Sequence, residues 1–224
     1  GFMHSIYIVL SVSLIGDKIN VIASEHIVPD YYKNRKLEYL LIHLSSFFIK
    51  KITVVSDEVK NKFSYLIRKK MKVIPNPIFI KSGKLINKTS KNGYKVLSIG
   101  RLSSQKDHKT LIKAFSLLVN KFPEWSLTIV GEGPLRRDLE KQIRDLNISE
   151  KVFLPGLYSN IDEYYISSDI FVIPSKFESF GLVTAEAMSY SLPVIGFSEC
   201  PGTNKLIINN LTGILVESGN NRAL

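Results

Sequence analysis

Residues 95–224 alternate between short runs rich in Val, Ile and Leu and longer stretches of helical periodicity, and few architectures accommodate that alternation. The apolar runs fall at 96–99, 127–130, 152–154, 170–173 and 193–197. Between them Leu111, Ala114, Phe115 and Leu118, then Leu135, Leu139, Ile143 and Leu146, recur every three or four residues and so share a helix face. A strand that is continuously apolar is buried on both sides, so helices must cover both faces of its sheet. The pattern predicts a doubly wound parallel α/β domain.

The first part of the chain follows the same grammar less completely. Residues 21–23, 53–55 and 73–74 read as strands, and 31–48 and 57–67 as the helices between them. Three strands are few for an independent doubly wound domain, so this part reads as the later half of one. Pro75-Asn76-Pro77 stops the preceding element, because proline lacks the amide donor and restricts its neighbour. The polar stretch that follows, ending in Asn92-Gly93, carries turn residues. The expected division is 1–78 as a partial first domain, 79–94 as a linker and 95–224 as a second domain truncated at its end. A chain that starts at Gly1 and stops at Leu224 without an obvious terminal structure is expected to be a fragment.

Charge separates the two parts. Residues 1–94 hold 16 Lys plus Arg against 6 Asp plus Glu, whereas residues 95–224 hold 14 against 14. The whole excess of +10 therefore lies in the first part, with a lysine ladder at Lys81, Lys84, Lys88 and Lys91. Such asymmetry suits an anionic partner: lipid headgroups, a phosphate-bearing substrate or nucleic acid. It equally suits a solvated lysine-rich face. The basic-aromatic pattern of nucleic-acid modules is absent, so no nucleic-acid partner is expected. The apolar stretch 2–15 is too short to span a bilayer and reads as a buried element. One cysteine, Cys200, excludes an internal disulfide framework.

Three segments carry candidate chemistry. In the first, Gly100 turns the chain after a strand, and Arg101 and Lys106 follow before a helix starts near Asp107. Ligands bind at the carboxyl ends of such strands, and two cations there suit a diphosphate. In the second, Gly131-Glu132-Gly133-Pro134 either lets a ligand approach the backbone or serves only as a tight strand-to-helix turn. Residues 153–158, ending in Leu157-Tyr158, hold the same place after the next strand. In the third, Glu178 lies in a loop after a strand, Phe180-Gly181-Leu182 opens a helix, and Glu186 lies one turn into it. Free amides at a helix start attract anions, and carboxylates beside them can bind sugar hydroxyls. His26 closes a strand of the first part and reads equally as an ordinary strand-end histidine.

Gly100-Arg101-Leu102 with Lys106, followed by Glu178-x7-Glu186 around Phe180-Gly181, resembles the retaining glycosyltransferases of family 4, which have the GT-B fold. The resemblance covers 95–217 well and 20–78 more loosely, and is nearest to bacterial enzymes of capsule, O-antigen and exopolysaccharide synthesis. It implies two Rossmann-like domains, the first incomplete and on the acceptor side. It implies that Arg101 and Lys106 hold the donor diphosphate, Glu178 contacts the transferred sugar and Glu186 binds the ribose hydroxyls. Gly100, Gly131 and the amides of Phe180, Gly181 and Leu182 would line the donor site, Leu157 would lie near the base, and His26 would occupy the position of an active-site histidine. The implied donor is a UDP-sugar, with no cofactor and no metal. The implied acceptor is a glycan or polyprenyl-diphosphate-linked oligosaccharide, met by a cytoplasmic enzyme peripheral to the inner face of an anionic membrane.

The sequence departs from the family pattern at Ser191, where glycine is common, and at Asn204-Lys205, where glutamate is frequent. The glycine-rich first loop and the closing helix are absent. The competing expectations are a donor-binding remnant without turnover and an isomerase resembling UDP-N-acetylglucosamine 2-epimerase. The Gly-Arg-Leu segment and the paired glutamates argue against the isomerase.

Overall fold

The computed structural model describes residues 21–26, 35–78 and 93–224. The stretch 2–15, the start of the expected helix at 31–34, the lysine ladder and nearly all of the expected linker lie outside those residues. The chain forms two compact units, residues 1–77 and 78–224.

In the first unit β1 (Ile22–Glu25), β2 (Lys51–Val54) and β3 (Met71–Val73) form a parallel sheet in that order. Helix α1 (Lys36–Ser46) precedes β2, and two short helices, α2 (Asp57–Asn61) and α3 (Tyr65–Arg68), lie between β2 and β3. Ile42, Ile52, Val54, Val59, Phe63 and Ile67 are among its buried apolar residues. The single helix expected over 57–67 is thus broken. Ser56 Oγ accepts the Val59 amide at 3.2 Å to start α2, and the chain turns at 62–64, where Phe63 is buried. One of the basic residues is structural. The Lys70 ammonium donates to the carbonyls of Ser46, Phe47 and Ile49 at 2.6, 3.3 and 3.0 Å. It thereby satisfies carbonyls that the end of α1 leaves open.

The second unit contains β4 (Tyr94–Ile99), α4 (His108–Leu118), β5 (Trp125–Val130), α5 (Arg136–Asp145), β6 (Val152–Gly156) and α6 (Asp162–Ser167). It continues with β7 (Ile170–Ile173), α7 (Leu182–Ser189), β8 (Val194–Phe197), α8 (Pro201–Asn204) and β9 (Gly213–Val216). The six strands are parallel in the order β6-β5-β4-β7-β8-β9. Leu111, Ile112 and Phe115 of α4 and Leu139 and Ile143 of α5 pack with Leu127, Ile129 and Val172. Tyr165 of α6 and Ala187 of α7 pack with Leu97, Ile99, Phe171, Ile173 and Val194. Phe171 and Ile173 thus join one core while Val172 joins the other, as a strand buried on both faces requires.

The sheet order makes β4 a switch point, with β5 on one side and β7 on the other. The helices that follow β4 and β7 pack on opposite faces of the sheet, the arrangement that places a ligand site at the strand ends where the order reverses. Ser191, after α7, has φ 59°, a left-handed conformation that glycine adopts without a Cβ penalty. This is the physical reason for a glycine preference there.

Candidate functional site

The loops that leave β4 and β7 are tied to each other at this edge of the sheet. Gln105 Nε2, after β4, donates to the Phe177 carbonyl at 2.9 Å, and the Lys176 amide donates to the Gln105 carbonyl at 2.9 Å. Between these bonds Lys106 Nζ lies 2.5 Å from Glu178 Oε1, with side chains only 17% and 13% exposed. A charge-assisted bond this short, largely removed from water, orients both groups. The stem of Lys106 lies over Gly100: a Cβ there would sit 3.1 Å from its Cδ and 3.2 Å from its Cε.

Arg101 leaves the same strand end, exposed, and makes no hydrogen bond or ion pair among the described residues. His108, the first residue of α4, is buried, and its Nδ1 has no partner among the described residues. Burial, reinforced by the Lys106 charge, pushes its imidazole down to about 4, so it is neutral at pH 7.

Helix α7 begins after Gly181, whose φ of 79° turns the chain into it. The amides of Phe180, Gly181 and Leu182 donate to no group among the described residues. They form an open helix start beside Glu178 in the chain, where an anion is favoured. The Cys200-Pro201-Gly202 segment supports this loop from behind. The Gly202 amide donates to the Glu178 carbonyl at 3.0 Å, and a Cβ at Gly202 would fall 2.7 Å from the Phe180 nitrogen. Burial, with the Glu178 charge adding to it, pushes the Cys200 thiol up to about 11, so the residue packs as a thiol rather than serving as a nucleophile. Farther along α7, Glu186 Oε2 accepts from Tyr165 Oη at 2.9 Å.

Gly100, Gly131 and Gly156 stand in a row at the ends of β4, β5 and β6. The Gly100 amide donates to the Val130 carbonyl at 3.0 Å and the Gly131 amide to the Gly156 carbonyl at 2.9 Å. The close approach that Gly131 and Gly133 permit is made by protein backbone. A Cβ at Gly131 would lie 2.0 Å from the Gly100 oxygen, and one at Gly133 would lie 2.4 Å from the Leu102 oxygen. Leu157 follows β6 and is exposed. His26 lies at the end of β1 in the first unit, with Nε2 3.0 Å from Ser24 Oγ, which accepts in turn from Thr53 Oγ1 at 2.9 Å.

The structure therefore brings Arg101, Lys106, Glu178 and the α7 amides to one edge of the second sheet, with Glu186 a turn farther along α7. Gln105 and Tyr165 were not singled out from the sequence. Gln105 adjoins the Lys106 motif, so its position carried a signal; Tyr165 carried none. Among the described residues no group of three or more His, Cys, Asp or Glu is placed to hold a metal ion.

Residues 83–224 match the family described as Glycosyl transferases group 1. An uncharacterized glycosyltransferase of Haemophilus influenzae is 31% identical over 216 residues, covering 94% of this chain and 59% of that protein. A Campylobacter jejuni protein, N-acetylgalactosamine-N,N'-diacetylbacillosaminyl-diphospho-undecaprenol 4-alpha-N-acetylgalactosaminyltransferase, is 28% identical, covering 97% of this chain and 62% of that protein. The crystal structure of Anabaena HepE in complex with UDP and glucose superposes with a TM-score of 0.78 at 22% identity, over 91% of this chain and 59% of that one. The chain thus spans about 60% of the length of these relatives.

Proposed function

The chain belongs to the glycosyl transferases group 1 family and has the GT-B fold, and on that premise we propose that it transfers a sugar, with retention of configuration, from a UDP-sugar to a polyprenyl-diphosphate-linked glycan of a surface polysaccharide. The observation that carries this reading is the meeting of Lys106 and Glu178 across the switch point, beside the open amides of α7. Arg101, Lys106 and those amides place positive charge where the departing diphosphate becomes more negative, so they stabilise the transition state over the bound donor. Glu178 contacts the transferred sugar and Glu186 the ribose. The UDP complex of the Anabaena protein supports the donor, and the diphospho-undecaprenol named for the Campylobacter relative supports the acceptor.

Calorimetry with UDP and GDP tests the site. UDP is expected to bind more tightly, with an affinity unchanged by EDTA, and Arg101→Ala and Glu186→Ala are each expected to weaken it about tenfold. Undiminished binding in both variants overturns the assignment.

The first unit supports contact with anionic lipid. No helix among the described residues is long and apolar enough to cross a membrane. Leu37, Leu40, Leu44 and Phe47 recur at three and four residues along α1 and its end, all exposed. Exposed Lys36 begins that helix and exposed Lys50 and Lys51 follow it. An apolar stripe with flanking cations suits peripheral docking on phosphate headgroups, at about 1 kcal/mol per cation near the surface. The protein is expected to float with phosphatidylglycerol-containing vesicles and not with pure phosphatidylcholine. Equal flotation with both overturns this contact.

A further inference from the structure

We infer that Tyr165 is a positioning residue for ribose recognition, holding the Glu186 carboxylate so that its second oxygen meets the ribose hydroxyls of the donor nucleotide. The inference rests on the reading of Glu186 given above and adds the group that aims it.

Tyr165 is 1% exposed and confined by two rings. Tyr190 stacks on it at 5.0 Å with planes 9° apart, and Phe171 lies tilted at 5.9 Å. Its hydroxyl therefore has little freedom, and it donates to Glu186 Oε2 at 2.9 Å. Glu186 makes no other side-chain hydrogen bond among the described residues, so Oε1 has no protein partner there. A glutamate side chain free to rotate would lose rotamer entropy on binding a ligand, whereas one fixed beforehand keeps more of its contact energy. Burial, with the Glu186 charge adding to it, pushes the phenol well above its ordinary value, so it stays a donor across the working pH range. The stack itself spans two elements: Tyr190 stands at the end of α7, so its ring joins that helix to the one carrying Tyr165.

The test compares UDP with 2′,3′-dideoxy-UDP by calorimetry on the full chain, with thermal unfolding measured in parallel. The wild-type protein is expected to prefer UDP by about tenfold, the scale of a hydrogen bond to a carboxylate. Tyr165→Phe keeps the ring stack and is expected to lower UDP affinity about fivefold while leaving dideoxy-UDP unchanged, because only the ribose hydroxyls read the carboxylate's aim. Parallel loss of both ligands, or an undiminished preference for UDP, overturns the proposal. Glu186→Ala separates the two levels. If it retains the preference, the ribose reading falls and the role of Tyr165 with it; if it abolishes the preference while Tyr165→Phe does not, only the role of Tyr165 falls. A wild-type protein that fails to bind UDP overturns both.

Discussion

Lys106→Met is expected to lower stability by about 3 kcal/mol, because it leaves a largely buried carboxylate without its partner. It is also expected to weaken UDP binding about 100-fold, since a cation is lost from the diphosphate and an uncompensated anion faces it. The two effects have different origins, and a second substitution separates them. In Lys106→Met/Glu178→Gln the stranded charge is gone, so thermal unfolding should return most of the way to the wild-type midpoint. Binding should not return, because the ammonium is still missing. A single variant as stable as the wild type would show that the 2.5 Å pair contributes nothing in solution. A double variant that binds UDP normally would remove Lys106 from the donor site.

That pair also marks where the sequence stops being informative. Lys106 and Glu178 each stand out from their own surroundings, one after a glycine turn and one before a helix start. Their meeting depends on β4 pairing with β7, and apolar periodicity reports which segments are strands but not which strands are neighbours. Strands β4, β5, β7 and β8 were legible because an interior place in the sheet demands short runs rich in Val, Ile and Leu. Strand β6, at the edge of the described sheet, was legible from the apolar run 152–154 even though Phe153 is half exposed. Strand β9 was not: among the described residues it pairs only with β8, none of its four residues is fully buried, and Ile214 at its centre is half exposed. Helix α6 was missed because one and a half turns are too short to show a period. With it went Tyr165, whose partner lies 21 residues away on another helix. Gln105 binds a loop 72 residues distant through a backbone carbonyl, a contact that no residue type announces. The glycines were ambiguous for a related reason: their spacing permits close approach without naming what approaches.

At Gly131 the approaching group is the Gly100 carbonyl, and this sets the second large effect. Gly131→Ala is expected to cost about 4 kcal/mol, combining strain at positive φ with backbone overlap that no rotamer can relieve. For a protein of this size the melting temperature should fall by roughly 10 °C. The residue has φ 148°, and its Cβ would lie 2.0 Å from the Gly100 oxygen and 2.9 Å from its carbonyl carbon. The Gly100-Arg101 turn must therefore move if the protein is to fold. Because the stem of Lys106 rests over Gly100, that movement should carry both cations away from the diphosphate position and weaken UDP binding beyond the stability loss. Gly219→Ala provides the comparison. Gly219 also has positive φ, at 74°, but nothing lies within 4 Å of its Cβ position, so only strain of about 1 kcal/mol applies. If the two variants melt together, the conformation of the backbone rather than its contact with Gly100 accounts for glycine at position 131. If Gly131→Ala melts far lower but binds UDP as tightly as the wild type while folded, the turn and its two cations do not depend on that contact.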